Sequence, residues 1–326
     1  MPSLFSQRGS VFFGLLEEAK TDSLNEQAFI GSSMSPNRQP LSIAAISLGV
    51  FTVFLWGLWP VLSRFSILQA FSSNDIVALR FWVAGLVLLP YLIKKGWGGL
   101  SPWMIFFVAC TGGMLYVYLA LTGLVYAPAG HAGMIIPSTM MVTALMGSWC
   151  VFGDKPTSQK MLGVVIIIIG IFITHYLGGD HVVGKNAWVG HFLFAAAGFC
   201  WGSFTVAARK ANIEALHMTA IISVTSMMVF TPIYFVFGEP QIWKATVNDI
   251  VLQGLFQGVI ISILALYTYT KTIELMGPSR AALFGALVPG FAALIAYPVL
   301  GEIPRYVDLV GLMLVTLGMV VTLKAR

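Results

Sequence analysis

The chain has 326 residues, 58% of them hydrophobic and only 10% charged, with a formal net charge of +5 and a mean hydropathy of +0.87. A soluble domain carries about 25% charged residues, so this composition excludes a water-soluble globular fold and makes lipid the solvent. The excess cations are read as cytoplasmic loops of a membrane protein rather than as a nucleic-acid surface. The three cysteines, Cys110, Cys150 and Cys200, lie in apolar runs with no CxxC or metal-ligand spacing, so they read as small buried hydrophobes.

In chain order, residues 1–40 stand apart. The apolar patch Val11 to Leu16 is too short for a signal peptide and is followed by Glu17 and Glu18. The polar stretch after it, with Pro36 and Pro40, reads as a disordered cytoplasmic tail, and Met34 offers a second start just ahead of the first apolar run. A bilayer span needs about 20 mostly apolar residues. Ten such stretches follow, at about 42–63, 75–93, 102–123, 129–152, 159–178, 187–208, 217–237, 249–271, 279–300 and 305–323. Charged and turn-forming residues separate them, including Lys94-Lys95-Gly96, Gly153-Asp154-Lys155-Pro156, Arg209-Lys210 and Gly301-Glu302. The joints Ala127-Pro128-Ala129-Gly130 and Gly277-Pro278-Ser279 are tight, and proline suits the first turn of the helix that follows.

The chain repeats itself. Phe54-Leu-Trp-Gly-Leu-Trp-Pro-Val-Leu-Ser-Arg64 recurs, degraded, at Phe199 to Arg209, with Phe54, Trp56, Gly57, Val61 and Arg64 each matched 145 residues on. Gly153-Asp154, Gly163 and Gly170 recur as Gly301-Glu302, Gly311 and Gly318 at an offset of 148. The expected organisation is therefore a first five-helix repeat over 41–180 and a second over 181–326. Lys and Arg concentrate on the side that shares the N-terminus, which places both termini in the cytoplasm. Five spans per half is an odd number, so the halves insert in opposite directions, the arrangement of alternating-access carriers. The predicted fold is an all-α integral membrane protein of ten transmembrane helices in two inverted five-helix repeats.

Chemistry is sparse. No Asp or Glu falls deep inside a predicted span, which argues against a pump built on an intramembrane carboxylate and favours transport without proton coupling. Catalytic and phosphate-loop motifs are missing, so an enzyme or ATP-driven pump is not expected. The polar candidates for substrate contact are His191, Gln257 and Lys271, against the alternatives of an interfacial histidine, an amide tying helices together and a snorkelling lysine. Arg80 is expected to snorkel. Trp56 and Trp201, each followed by glycine, suit stacking on a planar ligand or gating. In the pairs Tyr116/Tyr118 and Tyr267/Tyr269 the two rings lie on roughly opposite helix faces, and Tyr118 and Tyr267 are the ones assigned to the pathway. Pro137 and Pro289 are gate or hinge candidates. The glycines Gly163/Gly170 and Gly311/Gly318, seven apart, read as helix packing or a dimer contact, so a homodimer stays open.

Trp56-Gly57 and Arg64, Leu79-Arg80-Phe81, Pro128, Gly153-Asp154, Trp201-Gly202, Gly277-Pro278-Ser279-Arg280-Ala281-Ala282, Pro289 and Leu300-Gly301-Glu302, in this order on ten spans, resemble the drug/metabolite transporter superfamily and its EamA family. The resemblance covers about 42–323 and departs at Asp154, where the family usually has Glu, and at Pro137, one turn earlier than the position matching Pro289. It implies a bacterial inner-membrane carrier similar to the aromatic amino acid exporters, without a cofactor, whose first, third, fourth, sixth, eighth and ninth spans line a central cavity. The expected function is export of small amphipathic metabolites, amino acids foremost. The alternative is exchange of anionic metabolites such as sugar phosphates or nucleotide-sugars, which requires cations facing the cavity: an inward Lys271 or Arg80 favours it.

Overall fold

A computed structural model describes residues 43–176, 186–276 and 278–324; the expected N-terminal tail lies outside them. The described residues fold into helices: α1 (Ile43–Gln69), α2 (Ser73–Lys95), α3 (Pro102–Tyr126), α4 (Ala129–Phe152), α5 (Ser158–Tyr176), α6 (Ala187–Ala211) and α7 (Ala215–Phe237). Then come α8, built of Val247–Gly254, Leu255–Leu264 and Ala265–Met276, α9, built of Pro278–Gly285 and Val288–Leu300, and α10 (Tyr306–Lys324). Nine of these are long and apolar enough to cross a bilayer, and the apolar stretch of α5, Ser158–Thr174, is shorter. The ten-helix all-α architecture matches the sequence pattern.

Local chemistry sets the helix ends. Ser72 and Asp75 form a reciprocal capping box at the start of α2, and Ser101 and Thr246 cap α3 and α8 through their side chains. Gly153 and Gly301 close α4 and α9 at φ 75° and 68°, left-handed values that a residue with a Cβ adopts only under strain. This turn explains the repeated glycine–acid pair, because it brings Asp154 and Glu302 back beside the arginines at the ends of α6 and α1.

Two helices are not regular. Each contains a π-helical stretch, Cys110–Met114 in α3 and Leu255–Leu264 in α8, and the two begin 145 residues apart. Widening the helix frees backbone carbonyls, and serines satisfy them: Ser226 Oγ donates to the Ala109 carbonyl (3.2 Å) and Ser262 Oγ to the Gln257 carbonyl (2.8 Å). The two candidate hinge prolines behave differently. α9 breaks at Ala286-Leu287 and restarts with Pro289 in its first turn, where the missing N–H costs nothing. Pro137 sits inside an unbroken α4.

The halves interlock in matched pairs: α1 packs on α9 as α6 packs on α4, and α1 on α8 as α6 on α3, while α2 meets α7 and α5 meets α10. Glycines permit these crossings. A Cβ on Gly57 would lie 2.6 Å from Phe291 Cβ of α9, and one on Gly202 2.7 Å from the Met140 carbonyl of α4. The space beside the glycine after each repeated tryptophan is thus filled by a neighbouring helix. Gly163 and Gly170 approach the carbonyls of Gly318 and Gly311 within one chain (Cβ positions at 2.7 and 2.9 Å), so this stripe is spent on α5–α10 packing and is not a free dimer surface. Cys150 is exposed and Cys110 half-buried, so of the three cysteines Cys200 alone is a buried core residue.

Candidate functional site

The matched pairing puts charges at both ends of the bundle. At the end where α1 and α9 finish and α4 and α10 begin, Arg64 Nε faces Glu302 Oε1 at 2.6 Å. Arg64 Nη1 also donates to the carbonyls of Leu124 and Ala127 (2.6 Å to Ala127) at the end of α3, and Glu302 Oε2 accepts the Ala129 N–H of α4 at 3.0 Å. Beside them His131 meets Asp308 (3.3 Å), Asp308 meets Arg305 (3.3 Å), and His131 Nδ1 shares a hydrogen bond with His191 Nε2 (2.8 Å). Arg64, His131, Glu302, Arg305 and Asp308 line a cavity of about 380 Å³ with Pro128, Met134, Ala296 and Leu312. Burial pushes the Glu302 carboxyl above the ordinary carboxylate range, outweighing the pull of Arg64 and of the Ala129 and Gly130 amides.

At the opposite end the inverted copy of this pair, Arg209–Asp154, closes at 2.5 Å, with the guanidinium 4.1 Å over the Phe152 ring. The two ends are unequal. Arg64 and Glu302 are 18% and 19% exposed, and they tie α1 and α9 to α3 and α4; Arg209 and Asp154 are 55% and 51% exposed. Among the described residues, Arg209 and Asp154 reach no group on α8 or α9. Burial along α4 follows the same asymmetry. Ala129 to Ile136 are buried but for a half-buried Gly130, whereas every residue from Thr139 to Ser148 is half-buried. The Arg64 end is thus the more tightly buried of the two, and α4 grows more exposed toward the Arg209 end.

Between the two ends lies an aromatic knot. Trp59 and Tyr116 rings stand 6.0 Å apart, Tyr116 meets Trp201 edge-on at 4.4 Å, and Trp201 meets Phe204 at 5.7 Å. Trp56 packs on Tyr269 at 4.9 Å. Gln257, fully enclosed in the π-helical part of α8, accepts from Trp59 Nε1 (2.9 Å) and Arg80 Nη1 (3.4 Å) and donates to Ser63 Oγ (2.8 Å). Its amide is therefore occupied by three groups from two helices, α1 and α2. Arg80 does not snorkel: it is 7% exposed, with its guanidinium 5.6 Å over the Trp59 ring.

The sequence candidates divide accordingly. Trp56 and Trp201 are half-buried members of the aromatic layer, and His191 belongs to the Arg64-end network. Tyr118 (37% exposed) and Tyr267 (63%) lie on exposed faces; Tyr116 (7% exposed) and Tyr269 are the inward members of their pairs, because a two-residue step turns a helix by about 200°. Lys271 is exposed. Trp59, Arg64, His131 and Glu302 are not among the sequence candidates for the site, and Arg80 enters there only as the cation of the alternative reading. Arg64 and Glu302 were visible as repeat positions, but their pairing joins opposite halves, which a one-dimensional repeat does not reveal. Among the described residues no three His, Cys, Asp or Glu side chains converge as a metal site.

Comparison with known proteins agrees with this architecture. The EamA-like transporter family matches residues 43–176 and again 188–324. An uncharacterized transporter of Synechocystis is 26% identical over 62% of this chain and 61% of its own length. One of Archaeoglobus fulgidus is 28% identical over 84% of each chain, and the Bacillus subtilis transporter YyaM is 24% identical over 76% of this chain and 83% of its own. A chain solved by crystallography, 20% identical, covers 86% of this one at a TM-score of 0.59, with 98% of its own length matched. With ten helices, a duplicated motif and one family match in each half, the chain belongs to the EamA-like transporter family of membrane transporters.

Proposed function

We propose that the chain is an alternating-access carrier that exports small amphipathic metabolites, amino acids foremost, across a bacterial inner membrane. The observation that carries this reading is the pair of inverted ion pairs in unequal states, Arg64–Glu302 buried and cross-linked to α3 and α4, Arg209–Asp154 exposed. Two halves of opposite orientation have two equivalent end states, and each end of the bundle closes when the other opens. The Lys and Arg bias puts the Arg209 end in the cytoplasm. A carrier closed at the Arg64 end and open at the Arg209 end is then poised to load from inside, as export requires. The aromatic layer of Trp56, Trp201 and Tyr116 supplies apolar surface to an amphipathic solute.

A second reading, exchange of anionic metabolites on the same frame, is favoured by the inward Arg80. Uptake of labelled amino acids and of labelled glucose 6-phosphate into proteoliposomes, with and without a pH gradient, tests both. The first reading expects amino acid flux that the gradient leaves unchanged. Flux of glucose 6-phosphate alone would shift the assignment to the second, and flux of neither would overturn both.

A further inference from the structure

We propose that Arg80 is the anion-reading residue of the transport site: its guanidinium binds the carboxylate or phosphate group of the solute, and the rings of Trp59, Tyr116 and Trp201 face the solute's apolar part. The inference rests on the reading of the chain as a carrier. A charge at bilayer depth is costly, and buried arginines are ordinarily neutralised by a carboxylate. Arg80 is not. A guanidinium carries five N–H donors, and among the described residues the one hydrogen-bond acceptor within reach is Gln257 Oε1, at a long 3.4 Å. The Arg80 guanidinium also lies 5.6 Å over the face of Trp59.

The buried acids of the bundle are already committed. Asp75, on the same helix, is held by Ser72, the Tyr234 hydroxyl (2.6 Å) and the Gln241 N–H (3.1 Å). Glu302 and Asp308 serve Arg64, His131 and Arg305. The other basic groups with a place in the symmetry, Arg64 and Arg209, each have a carboxylate. Arg80 is the exception, and its position is built: Ser63 and Trp59 fix both ends of the Gln257 amide, which turns its oxygen to Arg80. A planar fork held in place without its counter-charge is organised to receive a bidentate anion. Its neighbours complete an amphipathic site. Tyr116 joins Trp59 to Trp201, and Trp201 is half-buried on α6, the helix that packs along α4 where α4 becomes accessible.

The test uses the full chain in proteoliposomes and three labelled probes: phenylalanine, phenylalaninamide, which lacks the carboxylate, and glucose 6-phosphate. Wild type should move phenylalanine or glucose 6-phosphate and not the amide; which of the two anions it moves identifies the source of the negative group. Arg80→Met should lose roughly 10- to 100-fold of that flux, the loss expected for a charge-assisted contact, and Arg80→Lys, which keeps the charge but not the fork, should lose less. Thermal unfolding without solute separates binding from structure. Removing a buried charge that has no carboxylate partner should leave the melting temperature of Arg80→Met equal to or above that of wild type. A clear drop in that melting temperature with flux retained would overturn the proposal. Equal flux of phenylalanine and its amide would overturn it and leave the carrier reading standing, whereas flux of no probe by wild type would overturn both.

Discussion

Replacing Glu302 by Gln should loosen the closed end of the bundle far more than replacing Asp154 by Asn loosens the other. Glu302 pairs with Arg64 at 2.6 Å and accepts the Ala129 N–H at 3.0 Å, at 19% exposure. Glutamine keeps an oxygen for the amide and loses the charge. Hydrogen bonds to charged groups contribute about 1.5–3 kcal/mol against about 1 kcal/mol for neutral ones, so the substitution should shift the equilibrium toward opening by about 1–2 kcal/mol, roughly 5- to 30-fold. Arg209 and Asp154 are 55% and 51% exposed, and exposed pairs contribute about 0–1 kcal/mol, at most roughly fivefold. The assay is maleimide labelling of Met134→Cys, a residue 2% exposed at the floor of the 380 Å³ cavity, with Cys110, Cys150 and Cys200 replaced by Ser. An impermeant reagent supplied from the Arg64 side should react roughly 5- to 30-fold faster in Glu302→Gln. An unchanged rate, or an equal acceleration by Asp154→Asn, would refute the reasoning.

Other consequences follow from the same contacts. Gly163→Ala places a methyl 2.7 Å from the Gly318 carbonyl and should lower stability by about 1–3 kcal/mol, whereas Gly290→Ala, which meets nothing within 4 Å, should not; melting curves in detergent compare the two. Tyr116→Ala should reduce transport by about tenfold or more, having lost its contacts to Trp59 and Trp201, while Tyr118→Ala should transport like wild type; the opposite ranking in a flux assay would restore the exposed tyrosine to the pathway.

Much of the frame was legible because lipid imposes a simple code. Apolar stretches of about 20 residues mark helices, and glycine–acid pairs and prolines mark their ends, so ten helices and the duplication follow from the chain itself. The site was less legible, for physical reasons particular to each residue. Arg80 lies only about two turns from the end of α2, close enough to snorkel by length alone, and what holds it inward is Gln257, 177 residues away. Sequence could show that one tyrosine of each pair turns inward but not which, since that depends on the rotation of α3 and α8, and both helices carry a π-helical stretch that resets the phase of every residue after it. Gly57 and Gly202 looked like gaps because a missing side chain is visible in a sequence and the helix that fills it is not.

The central claim is that the two ends open in alternation, and paired spin-label distances test it most directly. One pair, at Phe65 on α1 and Val125 on α3, spans the Arg64 end; the other, at Lys210 on α6 and Leu275 on α8, spans the Arg209 end, and all four positions are exposed. Across the substrate-free, substrate-loaded and Glu302→Gln states, the account predicts that one distance lengthens as the other shortens. Two distances that stay fixed, or that lengthen together, would contradict it.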